Sequence, residues 1–453
     1  MREAGKTALP KEPAEEESDY TVRLNRSFLF NAFKKTVKAL TGVATSKPVT
    51  VTGASVKVKE WTKNIDRKGR TLDEFSKQLI REVLSEGLHF IWVDYPIGSQ
   101  DATAADEAEM DIRPYFTLVP AEAVFWWEFV NTPGGQVLRE VRIMESETVR
   151  EGKFLQFERA VIRRFQLAVD PKTEKQVVAW ELYRQDEKKN WMASESGQID
   201  IPEIPLVPAY GEQTDIFQAD PPLMDLAWLN EEHWQAKSDY RNILHVAQVP
   251  FLFGAGLGDE FDEALAGEAS TPSAPGAGFT LSAQRMVTTD DVAAKLGWVE
   301  ANCQAIAAGR TDLKDIEAQM ASLGIRYLLG RYPHGDVTAT QTIVDKIESD
   351  AEVKTIARDC LSAITEAFRI SGLYINEDID VALSLDASFD ILTGGAADIP
   401  NLIAFAQAIG APPRFLIQEA QRWGFISSTL DVEKLLATLE TLPPVDLDLS
   451  GLE

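Results

Sequence analysis

The sequence predicts an α+β protein of more than one domain, and three observations carry that prediction. Of its 453 residues, 45% are hydrophobic and 9% aromatic, enough for cores of ordinary size and against wholesale disorder. Strand-like segments cluster in one stretch, between about residues 88 and 183, separated by short turns that favour antiparallel pairing over crossovers. Helical periodicity dominates the rest, in segments longer than one globular domain needs.

Residues 1–19 carry Glu15, Glu16, Glu17 and Asp19 among Pro and Ala; without a visible apolar face they are expected to form a flexible tail. From Tyr20, Leu29, Ala32, Phe33, Val37 and Leu40 recur at helical spacing, with Arg23, Arg26, Lys34, Lys35 and Lys38 between them, as far as Gly42. The basic face is either a contact for an acidic partner or a solvated surface. Thr71 and Glu74 have capping-box spacing, starting a helix that Gly87 stops.

Strands are expected at Leu88–Tyr95, Tyr115–Val119, Val124–Val130, Val137–Met144, Ala160–Val169 and Val177–Tyr183, with turns at Asn131–Gly135 and Asp170–Lys172. The insert Ser99–Asp111, with five carboxylates and no base, suits an exposed loop. Pro202, Pro205 and Pro208 exclude helix, whereas Pro221-Pro222 suits a helix start. A stripe from Leu223 to Ala247 follows, roughly 37 Å of helix, before Pro250.

Val249–Phe253 and Gly278–Leu281 resemble short strands around the acidic run Asp259, Glu260, Asp262, Glu263 and Glu268. Helix is expected again from Asp291 to Leu323, with a break at Gly309-Arg310, then a loop, Gly324–Val337. The strongest element follows: an apolar stripe from Ile343 to Phe368 on a helix from Thr338 to Ser371, roughly 50 Å long. Its spacing drifts off a strict heptad, favouring a strut over a coiled coil. After Gly372 come a strand, Asp380–Leu385, and short helices up to an acidic tail.

Chemistry is conspicuous by what is missing from the pattern. Gly5-Lys6-Thr7 lacks the upstream glycine and strand of a P-loop, and Gly254, Gly256 and Gly258 are followed by Asp259 where a dinucleotide fingerprint needs glycine. The four histidines, His89, His233, His245 and His334, form no metal-ligand spacing, and His89 and His233 suit structural positions. Cys303 and Cys360 exclude a disulfide scaffold and a cysteine-ligated zinc site. The carboxylates of residues 259–263 are a solvated surface rather than a Mg²⁺ site. No apolar run reaches the ~18 residues of a membrane helix, and the chain is expected to be soluble, without a secretion signal, an enzyme's centre, a cofactor or a metal. The formal net charge of −26 argues against gripping nucleic acid or an anionic membrane.

The order of parts resembles the portal proteins of tailed bacteriophages: wing, stem helix, clip, stem helix, tunnel loop, long wing helix and crown. Residue-level likeness is greatest to a portal-like subfamily of unknown function. It lies in Ile201-Pro202 through Pro205-Leu206, in Pro221-Pro222-Leu223-Met224-Asp225-Leu226-Ala227 with Ser238-Asp239-Tyr240, and in Gln319-Met320-Ala321-Ser322-Leu323-Gly324 followed by Thr338-Ala339-Thr340. Gln341 stands where that subfamily has Glu, and still completes a capping box with Thr338.

The resemblance implies a portal-like α+β fold, with an α/β wing over residues 20–220, stem helices at 221–248 and 291–323, and a small α/β clip at 249–290. A tunnel loop at 324–337, a long wing helix at 338–372 and a helical crown at 373–453 complete it. It implies a ring of usually twelve copies at one capsid vertex, through which double-stranded DNA is packaged and ejected, its long helices buried against neighbouring subunits. Partners would be terminase, major capsid or scaffold protein and neck proteins, and the location the virion, with assembly in the host cytoplasm. Arg326, Arg331, Tyr332 and His334 would line the channel, the two arginines alternatively pairing with acids of adjacent subunits, and Asp259, Glu260, Asp262 and Glu263 would face terminase and neck. Two other readings remain open: a head or tail adaptor or minor capsid protein, and a metal-dependent hydrolase using dispersed carboxylates.

Overall fold

The computed structural model describes residues 3–13, 15–96, 112–171, 173–186, 188–247, 251–255, 295–299, 303–329, 339–385 and 414. The chain is α+β and divides into two compact units, Met1–Phe33 with Asp225–Gly324 and Lys34–Met224 with Ile325–Glu453.

The N-terminal segment departs from the expected tail. A single 3-10 turn, Gly5–Thr7, precedes helix α1, Glu17–Arg26, and Ala8 and Leu9 are buried against Trp234. Lys6, the would-be P-loop lysine, donates instead to Glu17. The continuous basic helix expected from Tyr20 is two helices, α1 and α2 (Ala32–Ala44). Ser27 ends the first in extended geometry while its hydroxyl donates to the Arg23 carbonyl.

In the second unit, β1 (Thr50–Thr52) and α3 (Val56–Trp61) lead to α4, Leu72–Glu86. The capping box forms as its spacing requires: Glu74 N–H donates to the Thr71 hydroxyl and Thr71 N–H to the Glu74 carboxylate. Gly87 stops the helix at φ 81°, and a Cβ there would stand 2.7 Å from the Pro221 nitrogen, so only glycine fits. α4 buries Phe75, Leu79, Ile80, Val83 and Leu84.

The next strands form two sheets. β2 (Leu88–Asp94) lies between β3 (Tyr115–Pro120) and β9 (Leu206–Tyr210), and all its residues but Asp94 are buried. The proline-rich segment thus contains a strand that the sequence hid. Val93 N–H donates to the Pro205 carbonyl; by alternation Phe90, opposite Pro208, faces β3, and the donor-less nitrogen of Pro208 falls on the open edge of β9.

The second sheet is an antiparallel meander of β4 (Val124–Thr132), β5 (Gly135–Glu151), β6 (Leu155–Val169), β7 (Gln176–Gln185) and β8 (Trp191–Ile199). One face carries Val141, Ile143, Phe165 and Val178 into a core shared with Phe90, Trp92 and Leu206. The other carries buried Glu140, which accepts from Arg142 and Arg164, and Arg164 also reaches Glu181 at 3.0 Å. A short hairpin, β10 (Glu212–Asp215) with β11 (Gln218–Asp220), follows. The insert at residues 99–111 lies outside the described residues.

In the first unit, α5 (Met224–Ala247) leads to β12 (Phe251–Ala255), which pairs antiparallel with β13 (Lys295–Val299), and α6 runs from Cys303 to Leu329. β13 falls where helix was expected from Asp291; Gly297, Trp298 and Val299 are poor helix formers, and the last two favour strands. The expected strand Gly278–Leu281 lies outside the described residues. α6 also overruns two expected stops. Gly309 sits mid-helix, and Gly324 is followed by five further helical residues, since one glycine costs a helix only about 1 kcal/mol.

α7, Ala339–Ile375, is the longest element at 37 residues. It too passes its expected stop: at Gly372 a Cβ would lie 2.3 Å from the Glu377 carbonyl oxygen, so this glycine admits the returning chain. Asn376, at φ 52°, turns the chain there. Ile356, Cys360, Ile364, Ala367 and Phe368 are buried as α7 packs on α4, β2 and β9. This part of the stripe is therefore satisfied within one chain, against the expectation that it needs a neighbouring subunit. β14 (Ala382–Ser384) pairs with β1. The expected crown helices lie outside the described residues, apart from Arg414, which is helical.

Candidate functional site

The region between residues 221 and 338 holds the residues expected to line the channel and those expected to face terminase and neck. Its described part is a pair of helices and a two-stranded ribbon. The Leu226 side chain clusters with Ile316 and Met320, His233 Nε2 lies 3.1 Å from a Glu317 oxygen, and a Cβ on Gly309 would meet the Tyr240 ring at 3.0 Å. Contacts rise along α5 as they fall along α6, so the helices run antiparallel. Gly309 is not a break but the place where an aromatic ring approaches the helix.

This geometry fixes what leaves each end. At one end α5 and α6 meet the β12–β13 ribbon, in register from Phe251 opposite Val299 to Ala255 opposite Lys295. Asp259, Glu260, Asp262 and Glu263 belong to the sequence joining those strands and lie outside the described residues. At the other end, Arg326 lies on α6 rather than in a loop as expected. Arg326, Leu328 and Leu329 are good helix formers and sustain the helix there. Of the expected channel set the structure places Arg326 alone; Arg331, Tyr332 and His334 lie outside the described residues.

It does assemble groups that no sequence motif announced. Arg23 is buried, and its guanidinium donates to both oxygens of Glu15 at 2.8 Å, to Asp239 at 3.1 Å and to the Pro10 carbonyl at 2.7 Å. The hydrogen bond from Arg23 holds the Glu15 carboxyl below its usual range, while burial pushes Asp239 up against the pull of Arg23. Tyr20 donates to the Leu9 carbonyl and Gln235 to the Ala8 carbonyl, so residues 3–26 are strapped onto α5. Of the expected basic face, Arg23 is neither solvated nor offered to a partner, whereas Lys34, Lys35 and Lys38 are exposed.

His233 is wholly buried among α5, α6 and the ring of Phe30, 5.7 Å away. Burial holds its pKa below the ordinary 6.5, Lys237 adding to the shift and Glu317 opposing it. His89, buried in β2 beside Glu86, is depressed for the same first reason. The unfolded chain takes up these protons near pH 6.5 while the folded chain resists, so stability is full above that pH and lost as pH falls. Denaturant unfolding at pH 7.5 and 5.5 should show a drop that His233→Gln reduces; an unchanged drop would remove His233 from the account.

Among the described residues, no group of three or more His, Cys, Asp or Glu is placed to hold a metal ion, and no helix is long and apolar enough to cross a membrane.

Comparison with known proteins bears on the same region. Residues 222–375, about a third of the chain, match a family model described as a domain of unknown function, DUF4055. The match spans α5, β12, β13, α6 and α7. No curated protein matches the chain. Similar solved structures include a chain from the virion of a native gene transfer agent particle, at 12% identity and TM-score 0.38 over 98% of this chain and 99% of that one. Another comes from the neck of an empty gene transfer agent particle computed with C6 symmetry, at 12% identity and TM-score 0.42 over 91% and 90%. A third comes from the neck of the native particle computed with C12 symmetry, at 14% identity and TM-score 0.39 over 98% and 99%. Scores this far below one half do not establish a common fold or role.

Proposed function

We propose that this chain is a portal subunit of a tailed bacteriophage: a non-enzymatic virion protein that closes into a ring at one capsid vertex, conducts DNA during packaging and ejection, and seats terminase and neck proteins. The observation that carries the reading is the order of elements in the helix-pair region. An antiparallel pair of long helices ends on a two-stranded ribbon, and the second helix is followed by a short connection and a 37-residue helix. That is the order of stem, clip, stem, tunnel segment and wing helix. The residue-level likeness noted in the sequence falls on the same stretch and on the proline-rich segment that precedes it.

In this reading residues 330–338 border the channel, with Arg331, Tyr332 and His334 touching passing phosphate and Arg326 set back on α6. The acidic run Asp259 to Glu268 is presented at the ribbon end. The charge of −26 suits a conduit: every phosphate that a wall binds must be released again, so a repelling wall with few basic contacts lets DNA slide.

Electron microscopy of the purified protein should show rings with a central hole; compact monomers would overturn the portal. Given rings, Arg331→Ala combined with Tyr332→Ala should lower packaged DNA several-fold. Unchanged packaging and genome retention would remove the DNA contact and leave ion pairing between subunits as the role of the arginines. Deleting Asp259 to Glu268 should spare the ring and weaken terminase binding.

A further inference from the structure

β5 and β6 outrun their sheet. β4 follows β5 only up to Ile143, and β7 follows β6 only from Val161. Met144–Glu151 and Leu155–Ala160 therefore form a two-stranded arm about 25 Å long. A free ribbon of two strands is marginal by itself. This one is braced near its root by charge: Arg163 donates to Glu145, and Arg159 and Arg184 both donate to Glu147, whose carboxyl is pulled down to about 2 by Arg184 first and Arg159 second.

Beyond the ion pairs the arm becomes apolar again. Val149 lies opposite Phe157, Leu155 shares their face by alternation, and Gly152 turns the chain at φ 66°. Phe154 is 99% exposed, Leu155 56% and Phe157 44%. The face is the one that, at the root, carries Val141, Ile143 and Phe165 into the core. Here it has nothing beneath it among the described residues.

A second apolar surface left partly open belongs to the same unit. The edge strand β4 exposes Phe125 and Val130, and beside them Trp127, which leans on the Phe217 ring at 6.0 Å, keeps about a third of its surface open. β4 lies alongside residues 135–143 of β5, and the arm continues away from it, so the tip cannot fold back onto its own β4. Arg150 and Lys153 outnumber Glu151 at the tip, and exposed Glu122 precedes β4. A knob and a patch at separate places on one unit make a head-to-tail contact, which closes into a ring where the rotation allows.

We infer that the β5–β6 arm is an inter-subunit clasp whose tip, Phe154, Leu155 and Phe157, seats on the β4 edge of a second copy of this chain. This rests on the ring proposed above and names a contact that holds it. The test uses the full chain. Mass photometry of the wild type and of Phe154→Ser combined with Leu155→Ser, both exposed positions, should show assembly of the variant only at tenfold or more higher concentration, with unchanged circular dichroism. Benzoylphenylalanine in place of Phe154, photolysed in a mixture of light and isotopically heavy protein, should yield a light–heavy adduct on a peptide within residues 124–132. Wild-type protein that stays monomeric at every concentration overturns the ring and the clasp together. Rings that form equally well with the double variant overturn the clasp and leave the ring standing, and an adduct elsewhere on the partner overturns the β4 edge as its seat.

Discussion

Replacing Phe368 by Ala lowers the stability of the second unit by about 4 kcal/mol, within the range for deleting a buried phenyl ring. Phe368 is fully buried on α7, edge-on to Phe116 at 5.1 Å between centroids, and Phe116 in turn meets Phe75 of α4 at 5.9 Å. The ring is thus the link by which α7 joins α4 and the β3–β2–β9 sheet. Its loss leaves a cavity bounded by elements that cannot each relax into it. Hydrogen exchange of amides in β2 and in the second half of α7 reads the effect locally. Val56→Ala, at an 80% exposed position, is the matched control and should change little. A loss below about 1 kcal/mol for Phe368→Ala would mean that α7 is not part of this core.

The prediction matters because it separates two explanations for a helix of this length. From the sequence, an apolar stripe on a helix of more than 30 residues demands a partner, and a neighbouring subunit is the natural candidate. In the structure, Ile356, Ile364 and Phe368 already have partners inside the chain. This half of α7 is therefore not free for a neighbour, and among the described residues the arm tip, with Phe154 at 99%, is the most exposed apolar surface.

What could be read from the sequence followed the range of the forces involved. α4 was legible because its capping box and its stop at Gly87 span a few residues, and the β4–β7 meander because aromatic and β-branched runs alternate with turn residues. β8 escaped: Ala193, Ser194, Glu195, Ser196 and Gly197 have little strand preference, and the segment is a strand because β7 pairs with it, Gly197 leaving room for the Trp180 ring. Pro208 hid β9, since proline is excluded from a strand only where its nitrogen must donate. The helix pair was legible in outline, but Gly309 marked a stop where the Tyr240 ring instead packs on a continuous helix, and Gly324 one that a single glycine is too weak to enforce. The burial of Leu9 and the pairing of Arg23 with Asp239 could not be seen at all, because Trp234 and Asp239 lie more than 200 residues further along the chain.

Buried Arg23 sets the second large effect. Arg23→Met keeps the stem of the side chain and removes its charge, leaving Glu15, 10% exposed, without its partner. Removing one member of a buried ion pair costs about 3 kcal/mol. Asp239 is half exposed and loses less. The strap of residues 3–26 should open, seen as faster amide exchange in α1 and altered fluorescence from Trp234. Arg23→Met with Glu15→Gln removes both charges and should recover much of the loss, since an apolar or neutral replacement of the whole pair is close to balanced. The pH dependence gives an independent check. Arg23 holds the Glu15 carboxyl below its ordinary 4.5, so the pair stabilises above that pH and its contribution disappears as pH falls through the lowered value. The penalty of Arg23→Met should therefore be largest near pH 7 and shrink below pH 4. A penalty that stays constant across that range would mean that Arg23 holds the strap through its packing and its bond to the Pro10 carbonyl, and not through Glu15.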